Sequence, residues 1–149
     1  MKTMNGQEKD STMLTPEEVL RTKKIFALIG ASQDIEKYSY ELLFTLVEHG
    51  YTVYPINPRY EKIEDQRCYA SLAHLPEKPE VVIITLAPHN TESVLGQVAE
   101  RNITTVWLTP GSSSETALER AQALGLEVIY DACPVGILKM KRTESAKRL

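Results

Sequence analysis

The sequence predicts an α/β chain, a Rossmann-like doubly wound parallel sheet of five strands with helices on both faces. Two observations carry that expectation. First, Ile25 to Ile29 is an apolar run with no polar alternation, which suits a strand buried on both faces of a parallel sheet, and it stops at Gly30. Leu42, Leu43, Leu46 and Val47 then recur at helical spacing, and Gly50 closes the segment as a C-terminal glycine does. Second, further apolar runs alternate with helical patterns down the chain, which implies right-handed crossovers and a doubly wound sheet. Strand, glycine turn and helix form the first unit of a mononucleotide-binding fold. Its free N–H groups and positive helix end stabilise a phosphate without a basic side chain.

Residues 1–14 are polar and read as a flexible N-terminal segment. Thr15-Pro16-Glu17-Glu18 supplies an N-cap, a first-turn proline and dipole-complementing acids, so a short helix runs to about Thr22. Strand one and its helix follow. Tyr51 to Ile56 is the second strand and Asn57-Pro58-Arg59 the loop beyond it; residues 60 to 70 are irregular, and 71–76 make a helical turn or two. Val81 to Leu86, β-branched and continuously apolar, is a third strand of central character, ended by Pro88. Thr91 is read as the cap of a helix burying Val94, Leu95, Val98 and Ala99 and ending near Asn102. Thr104 to Leu108 is strand four, with Trp107 packing in or beside it. Pro110-Gly111-Ser112 is its loop, Ser114 to Leu124 a helix closed by Gly125, and Leu126 to Tyr130 strand five. Residues 139–149 form a basic tail, leaving one folded domain over 15–138. The expected strand order is 3-2-1-4-5, which puts the ligand beyond the carboxyl ends of the strands at a switch point between strands one and four.

At 149 residues with 42% apolar content the chain has the size and composition of one domain with a core. A net charge of −3 gives no general attraction to nucleic acid or an anionic membrane. No apolar run approaches the ~20 residues of a membrane span, and the polar start lacks a signal-peptide core, so the expectation is cytoplasmic. Cys68 and Cys133 form no Cys-x-x-Cys pair and have no histidine at zinc spacing, so neither a metal site nor a disulfide framework is expected.

A nicotinamide dinucleotide would call for Gly-x-Gly-x-x-Gly after strand one and an acid at the end of strand two. The loop instead reads Gly30-Ala31-Ser32-Gln33-Asp34-Ile35, with only the first glycine, and strand two ends in Asn57-Pro58-Arg59. The missing acid argues against NAD. Arg59 could meet a phosphate, either the 2′-phosphate of NADP or the ribose 3′-phosphate of coenzyme A, because a guanidinium offers paired donors.

Ile29-Gly30-Ala31-Ser32, Ser39, Asn57-Pro58, Cys68-Tyr69-x-Ser71-Leu72, Leu86-Ala87-Pro88, Trp107 with Gly111, and Asp131-Ala132-Cys133 together resemble the small CoA-binding domain proteins. These are similar to the N-terminal domain of the succinyl-CoA synthetase alpha subunit, and the resemblance covers about residues 20 to 138. It implies that the backbone around Ser32 to Ser39, with Gln33 and Tyr38, and the start of the following helix cradle the CoA pyrophosphate, Gly30 and Ala31 counting among the cofactor-binding residues. It also implies that Asn57, Pro58 and a basic side chain, Arg59 or Lys62, form the loop near the CoA phosphates. Leu86, Ala87 and Pro88 would pack on the adenine, and Thr109, Pro110 and Gly111 would lie near the pantetheine path. The sequence departs from common members at Asp65, where glycine is usual, and carries His89 at a variable position.

Ligation of an acid to CoA in the synthetase needs a phosphohistidine in a further domain and a nucleotide-binding partner chain. The expectation here is binding of CoA or an acyl-CoA without ligase chemistry, by a monomer or weak homodimer, with no catalytic residue and no metal. Two other readings stay open: an NADP-dependent oxidoreductase, for which no Tyr–Lys pair is found at a defensible spacing, and an interaction or regulatory module without a ligand. His49, at a helix end, and His74, on a turn, read as structural; His89 lies in the ligand region. Cys133, following strand five at the same rim, is a candidate for thiol exchange with CoA.

Overall fold

The computed structural model describes residues 14–140, so nearly all of the N-terminal segment and most of the basic tail lie outside the described residues. The first helix, α1 (Pro16–Thr22), opens as its sequence dictates. Thr15 Oγ1 accepts from Glu18 N–H at 3.1 Å and Glu18 Oε1 accepts from Thr15 N–H at 2.9 Å, a reciprocal capping box with Pro16 in the first turn. Then follow β1 (Ile25–Ile29), α2 (Tyr38–Glu48), β2 (Thr52–Ile56), a hairpin of β3 (Lys62–Ile63) and β4 (Gln66–Arg67), and a 3₁₀ turn (Leu72–His74). The chain continues through β5 (Val81–Ile84), α3 (Pro88–Glu100), β6 (Thr105–Leu108), α4 (Glu115–Ala123) and β7 (Glu127–Tyr130), and residues 134–140 are helical.

The Rossmann-like class holds: five strands, all parallel, make one sheet in the order β2-β1-β5-β6-β7. Counted over the sheet strands alone this is 2-1-3-4-5, which corrects the expected 3-2-1-4-5. Two physical reasons decide it. Pro55 lies inside β2 and has no N–H for a neighbour on its outer side, where its carbonyl accepts from Tyr69 N–H at 2.9 Å; β2 is therefore an edge strand. β5 is buried at all four positions, as a strand between two others and under helices on both faces must be.

Alternate residues of each strand feed two cores. Phe26, Leu28, Val81, Ile83 and Trp107 face α1 and α2, where Leu20, Leu42, Leu43 and Leu46 meet them, along with Val135 and Leu138 of the last helical stretch. Ala27, Ile29, Val82, Ile84, Val106 and Leu108 face α3 and α4, packing on Leu95, Val98, Ala117 and Ala121. Trp107 is fully buried, and its Nε1 donates to Ala132 O at 3.0 Å.

Two local expectations are also corrected. Thr91 is not a cap: α3 starts at Pro88 with Ala87 as N-cap, because a proline in the first turn gives up an N–H that had no helical partner anyway. Thr91 is instead buried one turn inside and donates to Ala87 O at 3.3 Å. Residues 60–70 are not irregular throughout but hold the β3–β4 hairpin, whose left-handed residue is Glu64 (φ 54), so Asp65 takes no conformation that needs glycine.

Candidate functional site

α2 leaves β1 over one face of the sheet and α3 leaves β5 over the other, so the switch point lies between β1 and β5. The sequence placed it one strand further along. Ligands of such sheets lie in the crevice beyond the strand ends at this point. Gly30 forms its floor. A Cβ there would stand 2.6 Å from Thr85 Oγ1 and 2.8 Å from Thr85 O, and φ is +96°, so the β1 exit and the β5 exit can approach only through glycine.

Two clefts meet over Gly30 and Leu86. One, of about 420 Å³, is mainly apolar and runs between the β2 exit, the 3₁₀ turn and α3; Ile56, Pro58, Leu72, Leu86 and Val94 give it apolar walls, and Asn57, Asn90 and Gln97 line it with amides. The other, of about 330 Å³, runs along the first residues of α2 and the β6 exit. Lys37, Tyr38, Ser39, Thr85, Ala87 and the Thr109–Ser112 turn line it.

Backbone N–H groups are left open toward this second cleft. Lys37 caps α2 and Ala87 caps α3, and neither makes a side-chain cap hydrogen bond, whereas α1 and α4 are capped by Thr15 and Ser114. The two helices that begin at the crevice are thus the two whose positive ends stay open. Ser39 is 5% exposed, yet its hydroxyl has no hydrogen-bond partner among the described residues. No fully enclosed side-chain N or O among the described residues lacks a partner, so the Ser39 hydroxyl reaches its remaining open space, the cleft it lines.

Of the residues singled out from sequence, Gly30, Tyr38, Ser39, Leu86, Ala87, Thr109, Pro110 and Gly111 line the second cleft, and Gly30, Asn57, Pro58 and Leu86 line the first. Ala31, Ser32, Gln33, Arg59, Lys62, Pro88 and Cys133 line neither. Several of these hold the frame instead. Ala31 O accepts from Asn57 Nδ2 at 2.8 Å, Ser32 Oγ accepts from Asp34 N–H at 3.0 Å, and Gln33 Nε2 donates to Lys62 O at 2.8 Å. Arg59 is exposed, and its N–H donates to Asn57 Oδ1 at 2.9 Å. Sequence reasoning did not single out Lys37, a cation that lines the second cleft; its only signal was its place just before the first helical residue. Asn90 fell in the Leu86 to Asn90 loop expected at the ligand edge but was not singled out, and Gln97 was missed, legible only as one face of α3 once the start of that helix is known.

Cys133 is half-buried, and its Sγ lies 3.0 Å from the Tyr38 hydroxyl. Burial first, then the bond to Cys133, pushes the Tyr38 hydroxyl well above the ordinary phenol range, so it stays protonated. Cys68 is buried, which raises its thiol too, and its sulfur faces Asn57 O. His49 Nδ1 lies 2.7 Å from Thr45 O and His74 Nδ1 2.8 Å from Ser71 Oγ, while His89 sits exposed in the first turn of α3. Among the described residues no group of three or more His, Cys, Asp or Glu could hold a metal ion, and no helix is long and apolar enough to cross a membrane.

Residues 24–139 match the family described as the CoA binding domain. Over 82 residues the chain is 29% identical to ADP-forming acetate–CoA ligase II of Archaeoglobus fulgidus, covering 54% of this chain and 12% of that one. Over 123 residues it is 29% identical to the alpha subunit of ADP-forming acetate–CoA ligase II of Pyrococcus furiosus, covering 75% and 27%. It therefore spans about a quarter or less of these curated relatives. A solved structure of a hypothetical protein from Pyrococcus horikoshii matches with a TM-score of 0.76 at 34% identity, over 82% of this chain and 88% of that one.

Proposed function

The chain belongs to the CoA binding domain family, and from that premise we propose that it binds coenzyme A or an acyl-CoA across the β1/β5 switch point, along the carboxyl edge of the sheet. Ser39 carries the reading: a residue 5% exposed whose hydroxyl has no hydrogen-bond partner among the described residues, in the first turn of a helix left without a side-chain cap. An unpartnered hydroxyl facing the cleft beside open N–H groups suits an oxyanion. In this reading the pyrophosphate lies over Gly30 against the start of α2, with Lys37 adding charge. Adenine enters the apolar cleft between Leu72, Leu86 and Val94, and the pantetheine arm passes along Thr109, Pro110 and Gly111. Arg59 and Lys62, on the surface beyond β2, are left for the ribose 3′-phosphate.

Calorimetric titration with CoA, acetyl-CoA and NADPH tests the reading. CoA forms are expected to bind while NADPH does not, and Ser39→Ala is expected to weaken CoA binding by about 1.5–3 kcal/mol, the range for a hydrogen bond to a charged group. Binding of NADPH alone would replace this reading with a reductase.

A further inference from the structure

Behind the second cleft stands a sulfur with two hydrogen-bonding groups around it. Tyr38, the first residue of α2, lines the cleft, and its hydroxyl lies 3.0 Å from Cys133 Sγ. Gly136 N–H points at the same sulfur at 3.4 Å, and Val135 N–H donates to the Tyr38 hydroxyl at 3.5 Å. The loop bearing the cysteine is pinned by Trp107, which donates to Ala132 O at 3.0 Å. That the cleft takes a ligand is indicated separately by Ser39, a buried residue lining the same cleft as Tyr38, whose hydroxyl has no partner among the described residues and opens to that cleft. From β1, where the phosphates would sit, to β7, whose exit loop carries Cys133, the sheet order leaves three strand spacings, about 14 Å. An extended phosphopantetheine arm reaches across that span past Thr109 and Gly111.

We propose that Cys133 is a thiol–disulfide exchange site for the thiol end of CoA, templated by the cleft that Tyr38 and Ser39 line. The inference rests on the CoA reading. Its co-reactant is a CoA disulfide. The Cys133 sulfur, having released its proton, attacks one sulfur of the ligand's disulfide; the Sγ–S bond forms as the S–S bond breaks, and the leaving CoA thiolate takes up a proton. The result is one protein–CoA mixed disulfide and one free CoA: the CoA disulfide is the oxidant of Cys133, and its departing half is reduced to the thiol. Tyr38, kept protonated, is the positioning residue: its hydroxyl donates to the Cys133 sulfur as negative charge develops there. Cys68, buried against Asn57 O, lies outside the path.

The test incubates the reduced full chain with CoA disulfide and, in parallel, with oxidised glutathione, and follows intact mass and peptide mapping over time. One CoA adduct per chain is expected, on Cys133, forming at least tenfold faster than the glutathione adduct and slowed to the glutathione rate by excess acetyl-CoA, which has no disulfide to exchange. Cys133→Ser is expected to abolish the adduct, and Tyr38→Phe to slow it severalfold. Equal rates with both disulfides, a rate indifferent to acetyl-CoA, or modification at Cys68 would overturn the proposal. Calorimetry separates the two readings. CoA binding without an adduct removes the exchange site and leaves the binding function standing, whereas absence of CoA binding removes both.

Discussion

Ser39 and Glu80 show how single side chains divide between ligand and frame. Since the Ser39 hydroxyl has no partner among the described residues, Ser39→Ala is expected to leave stability within about 0.5 kcal/mol of the parent while CoA affinity falls. Urea unfolding beside calorimetry checks the split; an equal loss of both would make Ser39 a structural residue. Glu80 does the opposite work. Its carboxylate accepts from Lys24 N–H at 2.8 Å and Ile25 N–H at 3.1 Å, and the first of these bonds in particular holds it below the ordinary carboxylate range. A folded-state pKa lower than the unfolded one contributes stability that is present above the unfolded value, about 4.3, and is lost as pH falls through the folded value. Glu80→Gln should therefore flatten the loss of stability between about pH 5 and pH 3, as read from urea midpoints against pH; a curve unchanged from the parent would assign the acid limb to other groups. At this scale the sequence marked Gly30 because a glycine turn before a helix has a local pattern, and Ser39 only through the family resemblance. The Asn57 to Ala31 tie and the Cys133 to Tyr38 contact join residues far apart in the chain, and no local pattern announces them.

The helices that open on the crevice start without side-chain caps, and that is a testable trade between stability and binding. Lys37 already has the extended backbone of an N-cap (φ −85, ψ 145). Lys37→Asp is expected to supply the missing cap and raise stability by about 0.5–2 kcal/mol, while its carboxylate repels a phosphate at the same N-terminus and weakens CoA binding. Thermal unfolding and calorimetry on the variant check both signs; tighter CoA binding would contradict an anion at this helix end. The elements themselves were largely legible. Thr15 caps the helix expected of it, the helix expected from Ser114 begins there with Ser114 as its cap, and the strands fall where the apolar runs are. The start of α3 was misplaced because Thr91 has the residue type of a cap, whereas the proline three residues earlier decides where the helix can begin. The β3–β4 hairpin escaped notice because two-residue strands carry no periodicity.

Over the whole molecule, the fold class followed from alternating apolar runs, but the strand order did not. Alternation fixes that crossovers exist and their hand, not which side of β1 the third sheet strand takes. The sequence nonetheless held two pointers, Pro55 inside β2 and the unbroken apolar run of β5, and both favour the observed β2-β1-β5-β6-β7. The altered order brings the β5 exit against Gly30, so that Leu86 joins the apolar cleft to the phosphate end. A third cleft, of about 260 Å³ and lined by Leu75, Lys78, Arg101 and Ile103, lies where the chain enters β5 and β6, at the amino edge of the sheet. It supplies an internal control for the central claim. The most direct measurement is an NMR titration of the labelled chain with CoA, following backbone amide shifts. CoA bound at the β1/β5 switch point is expected to give saturable shifts at Gly30, Tyr38, Ser39, Leu86 and Gly111 with Leu75 and Arg101 unmoved; shifts confined to the amino edge, or none at millimolar CoA, would contradict binding there.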